Sequence, residues 1–138
     1  YVEPEQWSDD VEAQRRMFRS PDHYGYLNSN FYITKKLQAS LFGTFTGPML
    51  VQHTAYTTIN GIEMPDSEVV TPSFWDFGLK VGYTFNLSQL IKLEINAGIK
   101  NIFDSYQRDL DIGAGRDSAY IYGPSLPRSV FVGAKLSF

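Results

Sequence analysis

The sequence predicts an all-β chain, an antiparallel meander of about five strands whose apolar face meets lipid. Four observations predict it. In SFWDFGLKVGYTFN, residues 73–86, Trp75, Phe77, Leu79, Val81, Tyr83 and Phe85 alternate with Asp76, Gly78, Lys80, Gly82, Thr84 and Asn86. A period of two is that of a strand with one dry and one wet face. The dry face is also sorted, with aromatic residues at both ends and the aliphatic Leu79 and Val81 between them. Aromatic rings favour the two headgroup interfaces of a membrane, whereas a soluble core has no reason to sort them. Trp75 to Phe85 spans ~34 Å of strand at ~3.4 Å per residue, which a tilt of ~40° reduces to ~26 Å, close to the ~25 Å apolar band of an outer-membrane barrel. Finally, the connections alternate short (34–36), long (48–72), short (86–90) and long (101–127), as periplasmic turns and outer loops do.

The elements follow in order. Residues 1–20 are polar and charged, and DDVEAQRRMF within them reads as a short helix, with Asp9 as N-cap and Glu12 completing a capping box. HYGYLNSNFYITKK is a first strand. Its dry side carries Gly25, Leu27, Ser29, Phe31 and Ile33, and its other side Tyr24, Tyr26, Asn28, Asn30 and Tyr32. Lys35 and Lys36 mark a tight turn into LQASLFGTFTG, with Leu37, Ala39, Leu41, Gly43 and Phe45 on one side. The long connection from Pro48 to Pro72 contains YTTINGIEM, where Asn60-Gly61 between β-branched residues signals a hairpin. After the strand from Trp75 to Phe85, the NLSQL turn leads to IKLEINAGIK, with Ile91, Leu93, Ile95, Ala97 and Ile99 dry. A second long connection, punctuated by Gly and Pro, precedes RSVFVGAKLSF, with Val130, Val132, Ala134, Leu136 and Phe138 on one face. Lys80, Lys92, Glu94, Lys100 and Lys135 all fall on the polar faces, where a hydrated lumen tolerates charge.

Composition narrows the classes. The 138 residues are 43% hydrophobic and 15% aromatic, a bias toward strands. A net charge of −3 gives no basic patch for nucleic acid. Without cysteine there is no disulfide framework, thiol nucleophile or Cys-based zinc site. No stretch reaches the ~18 apolar residues of a transmembrane helix, which excludes helical spans and leaves strands open. Starting at Tyr1, the chain reads as a processed chain or a fragment. A soluble sandwich, a lipocalin-like barrel or an adhesin barrel acting as a binding module explains the alternation equally well. A soluble domain does not explain the aromatic sorting.

The last forty residues carry a resemblance. AGIKNIFDSYQ, with Asn101, Ile102, Phe103, Asp104 and Tyr106, is similar to the penultimate-strand run of TonB-dependent outer-membrane receptors. GPSLPRSVFVGAKLSF resembles their closing segment, with Pro127-Arg128 entering the last strand and Phe138 matching the terminal aromatic. The upstream hairpin from Tyr24 to His53 resembles one that some members carry, so the likeness covers most of residues 21–138. It implies a Gram-negative outer-membrane location and the C-terminal section of a 22-stranded barrel. Residues 1–20 are then an extracellular loop segment. The N-terminal plug, the TonB contact and most of the barrel lie outside this sequence, so this section supplies wall, outer loops and an assembly signal. That signal is Val130, Val132, Ala134, Leu136 and Phe138, read by the barrel-assembly machinery. Trp75, Phe77, Leu79, Val81, Tyr83 and Phe85 face lipid. The closing segment is unlike that of the large glycan-importing subgroup, so the resemblance favours a Bacteroidetes-type receptor for a metal chelate (siderophore, haem or cobalamin).

The outer loops then hold the candidate ligand contacts, His53, Tyr56, Asn60, Arg108 and Arg116. His23 and His53 are the only histidines; His53 lies near Tyr56, and its plainer reading is an exposed loop residue. DLDIGAGRD offers Asp109, Asp111 and Asp117, but a calcium loop of the EF-hand type needs an oxygen ligand where Gly113 stands and Glu where Tyr120 stands. GAG lacks the strand and helix of a nucleotide fingerprint, and Asn86-Leu87-Ser88 is a sequon in a predicted periplasmic turn. No nucleophile motif or catalytic constellation is present, so neither an enzyme nor a bound cofactor is expected.

Overall fold

The computed structural model describes residues 3–138. Its described residues contain strands and no helix. The strands are β1 (Tyr24–Tyr32), β2 (Leu37–Thr46), β3 (Leu50–His53), β4 (Tyr56–Thr57), β5 (Glu63–Met64), β6 (Ser67–Val70), β7 (Phe74–Asn86), β8 (Lys92–Lys100) and β9 (Ser129–Ser137). They divide between two compact units. One holds Gly25–Phe45, Phe74–Tyr106 and Leu126–Phe138; the other holds the chain up to Tyr24, Thr46–Ser73 and Gln107–Ser125.

The first unit is one open five-stranded sheet in the order β1-β2-β7-β8-β9. This is the predicted meander. Its end strands β1 and β9 do not pair with each other, so the sheet is not a closed barrel. Antiparallel pairing sets Leu79 opposite Ile99, Val81 opposite Ala97, Tyr83 opposite Ile95 and Phe85 opposite Leu93. On the next strand Ile99 meets Val130, Ala97 meets Val132, Ile95 meets Ala134 and Leu93 meets Leu136. Side chains directly opposite share a face, so three strands build one apolar wall with no polar row. The other face has rows Lys80–Gly98–Phe131, Gly82–Asn96–Gly133 and Thr84–Glu94–Lys135.

The apolar wall is the uncovered face. Leu79 is 39% exposed and Val130 and Val132 are each 76% exposed, while Gly78 and Gly82 behind them are buried. A soluble sheet has the opposite arrangement. Phe45, Trp75 and Phe77 gather at one end of the wall, with Phe45 and Trp75 rings 4.4 Å apart, and Tyr83 and Phe85 gather at the other at 4.7 Å. The polar face packs aromatic rings over glycines, Phe42 over Gly78 and Phe131 over Gly98. A Cβ on Gly98 would stand 2.6 Å from the Leu79 carbonyl oxygen, so only glycine allows that approach.

The two short turns use one device. The Thr34 hydroxyl accepts from the N–H groups of Lys36 and Leu37 at 3.1 and 2.9 Å. The Ser88 hydroxyl accepts from those of Leu90 and Ile91 at 3.3 and 3.1 Å. A short side-chain oxygen thus replaces a backbone acceptor at each reversal. At the opposite strand ends, Asn101 turns the chain out of β8 with φ of 50°. Asparagine tolerates that left-handed conformation better than most residues. Its Nδ2 donates to Ser105 O at 3.2 Å and Leu126 O at 3.0 Å, and its Oδ1 accepts from Ser105 N–H at 2.9 Å. Asp104 Oδ1 accepts from Arg128 N–H at 2.9 Å, and Ser105 Oγ from Trp75 N–H at 3.1 Å. The NIFDS run therefore ties together the ends of β7, β8 and β9.

The second unit is built from the connections and has its own core of Met49, Val51 and Tyr120, with Val69 and Tyr122 packed against it. β3 pairs with β6 from Leu50↔Val70 to His53↔Ser67, and β4 with β5 through Tyr56↔Met64 and Thr57↔Glu63. The stretch from Pro48 to Pro72 is thus the predicted hairpin arm. Gly61, with φ of 79°, closes its tip by donating to Thr58 O at 2.9 Å.

The helix expected within residues 9–18 does not form. Glu5 bridges Gln14 in antiparallel fashion, Phe18 bridges Leu50 in parallel, and Trp7 Nε1 donates to Glu68 Oε1 at 3.1 Å. The segment lacks an apolar stripe at helical spacing, and contacts with distant parts of its own unit win over a local capping signal.

Candidate functional site

His53 closes β3 and is buried, with 7% of its surface exposed. The expectation of an exposed loop histidine is therefore corrected. Its ring lies between two tyrosines, 3.7 Å from the Tyr120 ring at 7° and 4.3 Å from the Tyr56 ring at 12°. Tyr122 meets Tyr120 edge-on at 5.2 Å. Three rings from β3, β4 and the 107–125 connection thus form one stack, and Tyr122 closes it edge-on.

Three aspartates hold it. The Asp111 Oδ2 lies 2.8 Å from His53 Nε2 and accepts from Asp117 N–H at 3.1 Å. Asp109 accepts from the phenols of Tyr120 at 3.0 Å and Tyr122 at 2.6 Å. Asp117 accepts from the N–H groups of Thr54 at 2.9 Å and Ala119 at 2.8 Å. Buried Gln107 completes the frame: its Nε2 donates to Tyr120 O at 3.1 Å and its Oε1 accepts from Tyr122 N–H at 2.9 Å. The carboxylates of DLDIGAGRD are thus directed at protein donors. Among the described residues no three His, Cys, Asp or Glu side chains gather as metal ligands.

These bonds move the ionisations. Burial works against the charged form of Asp109, but the bonds from Tyr122, Tyr120 and its own backbone outweigh it and hold the carboxyl below 3.8. Burial first, and then the bond to Asp109, push Tyr120 from 10.0 to about 12 and raise Tyr122 as well. A lowered carboxyl stabilises the fold above its unfolded value and loses that contribution as pH falls through the folded one. A raised phenol stabilises below 10.0 and loses that contribution as pH rises through about 12. An alkaline titration followed by phenolate absorbance should therefore show the Tyr120 and Tyr122 phenols ionising above 10.0. Asp109→Asn should lower both, by the share that the carboxylate adds to burial. An alkaline transition of these two phenols that Asp109→Asn leaves unchanged would contradict the shared carboxylate.

Of the five loop residues selected from sequence, His53 and Tyr56 come together in the stack. Asn60 is exposed at the hairpin tip, Arg108 is exposed, and Arg116 is exposed with Nη1 donating to Gly113 O at 3.0 Å. Sequence reasoning missed Gln107, Tyr120 and Tyr122. The alternation in Tyr120-Ile121-Tyr122 was the one signal that put both phenols on one side. Beside the stack, Ala55, Tyr56, Thr57, Glu63, Met64, Pro65 and Gly115 line a cleft of about 480 Å³. Comparison of the chain with protein-family models, with curated proteins and with solved structures finds no match.

Proposed function

We propose that this chain is the C-terminal section of a TonB-dependent outer-membrane receptor, part of a 22-stranded barrel that imports a metal chelate. The observation that carries the reading is the apolar wall of β7, β8 and β9, most of whose residues are exposed and which is edged by aromatic rings at both ends. Lipid tails solvate such a wall, and a closed ring of strands satisfies the open edges of β1 and β9, because unpaired backbone groups in lipid cost several kcal/mol each. Tyr24, Tyr26 and Tyr32, on the opposite face of β1 from Leu27 and Phe31, then face the aqueous lumen. Val130, Val132, Ala134 and Leu136 lie in the wall, and with Phe138 they make the assembly signal that the resemblance implies. Within the receptor this section meets lipid, the remaining strands and the plug, and TonB acts through that plug.

The chelate rests on the sequence resemblance alone. His53 adds nothing for haem iron at Nε2, since Asp111 occupies that nitrogen.

The test is migration on a detergent gel. The protein containing this chain, extracted from outer membranes, should run compact without boiling and at full apparent mass after it. Identical migration in the two lanes, with the protein in the soluble fraction, would overturn the reading in favour of a soluble binding module.

A further inference from the structure

The sheet ends in two short reversals on either side of β7. The Thr84 N–H donates to Lys36 O at 2.8 Å, and Asn86 pairs with Lys92. Each reversal is held by its own backbone bonds. The N–H groups of Ile33 and Thr34 donate to Leu37 O at 3.0 and 3.1 Å, and those of Leu87 and Ser88 to Ile91 O at 2.9 and 3.1 Å. What they hold outward is of two kinds. Ile33, Leu87 and Leu90 are exposed aliphatic residues, Leu90 at 81%, and Lys35 and Lys36 are exposed cations. Ile33 belongs to the apolar side of the sheet, since Asn30, of the opposite parity, accepts from Ser40 Oγ at 2.7 Å on the polar side. These residues follow directly on the wall's aromatic end at Tyr83 and Phe85.

Charge at this end has one sign. The segments of the sheet unit hold three acids and seven bases. Asp76 and Asp104 sit at the far end, where the long connections leave. Glu94 lies on the polar face and accepts from Gln38 Nε2 at 3.4 Å. No Asp or Glu falls within residues 25–45 or 77–93. Lys92 shares the polar face with Glu94, so the cations of the reversal itself are Lys35 and Lys36. A lysine lays its aliphatic stem on apolar surface and keeps its ammonium in a polar layer. Lysines beside exposed aliphatic residues therefore suit the boundary between acyl chains and headgroups, where anionic headgroups attract them.

We infer that the β1–β2 reversal holds the headgroup of an anionic phospholipid, with the lipid phosphate at Lys35 and Lys36 and the acyl chains against Ile33 and the wall. This rests on the reading of the wall as lipid-facing. A free phosphate would leave the aliphatic residues uncovered; a lipid covers them. In the test, the protein that contains this chain is placed in vesicles of equal phosphatidylcholine and phosphatidylglycerol. It carries a photoreactive diazirine residue in place of Ile33 or, separately, of Val81 in the middle of the wall, and the lipid adducts are identified by mass spectrometry. Both positions should take lipid. At position 33 phosphatidylglycerol should exceed phosphatidylcholine about fivefold, since a lysine near an anionic surface is worth ~1 kcal/mol. Lys35→Gln with Lys36→Gln should bring that ratio to about one, and Lys92→Gln, on the polar face, should leave it unchanged. Lipid adducts at position 81 with none at 33, with no preference at 33, with a preference that the double variant keeps, or with one that Lys92→Gln abolishes, would each overturn the headgroup site and leave the wall standing. No lipid adduct at either position would overturn both.

Discussion

On the proposed assignment of the wall to lipid, Leu79→Arg should destabilise the protein folded in a bilayer by ~2–4 kcal/mol, and Lys80→Glu, one residue further on, by well under 1 kcal/mol, since arginine at the bilayer midplane of a barrel strand costs that much while a lumen-facing exchange is mild. Leu79 stands midway between the aromatic ends of the wall, opposite Ile99, which is in turn opposite Val130. No polar side chain shares that row, so a guanidinium placed there finds no partner. Lys80 points to the other face and pairs with Gly98. That face already holds Glu94 opposite Lys135, with Gln38 Nε2 donating to Glu94 Oε1 at 3.4 Å. A carboxylate at position 80 would therefore meet water and a tolerant polar surface. Urea unfolding of both variants in lipid vesicles measures the difference. Equal losses would mean that the two faces of β7 see similar surroundings, and the assignment of the wall to lipid would fail.

The sheet was legible because most of its residues obey one local rule. In β7, β8 and β9 the apolar face keeps a period of two, with Phe74 and Phe131 as the aromatic exceptions on the other face, and the register then joins like faces into rows. The hairpin tip was legible for the same reason, since Asn60-Gly61 specifies its own turn. The loop unit was not. Its core residues Met49, Val51 and Tyr120 come from segments about seventy residues apart, and no periodicity links them. His53 looked exposed because a lone histidine in a long connection usually is. What buries it is Tyr120 and Asp111, both far along the chain. Residues 9–18 carried a genuine capping signal, yet a helix there would have had no apolar face to bury, and the signal lost to Phe18 and Trp7 contacts that the sequence does not advertise.

The second large effect should come from Asn101→Ala, at ~3–5 kcal/mol, combining the left-handed backbone penalty with the loss of buried hydrogen bonds. Asn101 is 3% exposed, and the carbonyls of Ser105 and Leu126 that it serves lose their part-buried bonds once its amide is gone. The two costs can be separated. Asn101→Gly keeps the φ of 50° free of strain but removes every side-chain bond. Asn101→Asp keeps the acceptor for Ser105 N–H and loses both donors. The expected order of stability is wild type, then Asp or Gly, then Ala. Because Ser105 Oγ in turn accepts from Trp75 N–H, and Asp104 Oδ1 from Arg128 N–H, the damage should spread to the first residues of β7 and β9. Amide exchange at Trp75 and Arg128 should accelerate in all three variants, while exchange at Gly82 and Asn96, in the middle of the sheet, should change only as far as global stability does. If Ala and Gly prove equally mild and neither amide is released, the NIFDS run is an ordinary turn, and the coupling of the three strand ends must lie elsewhere.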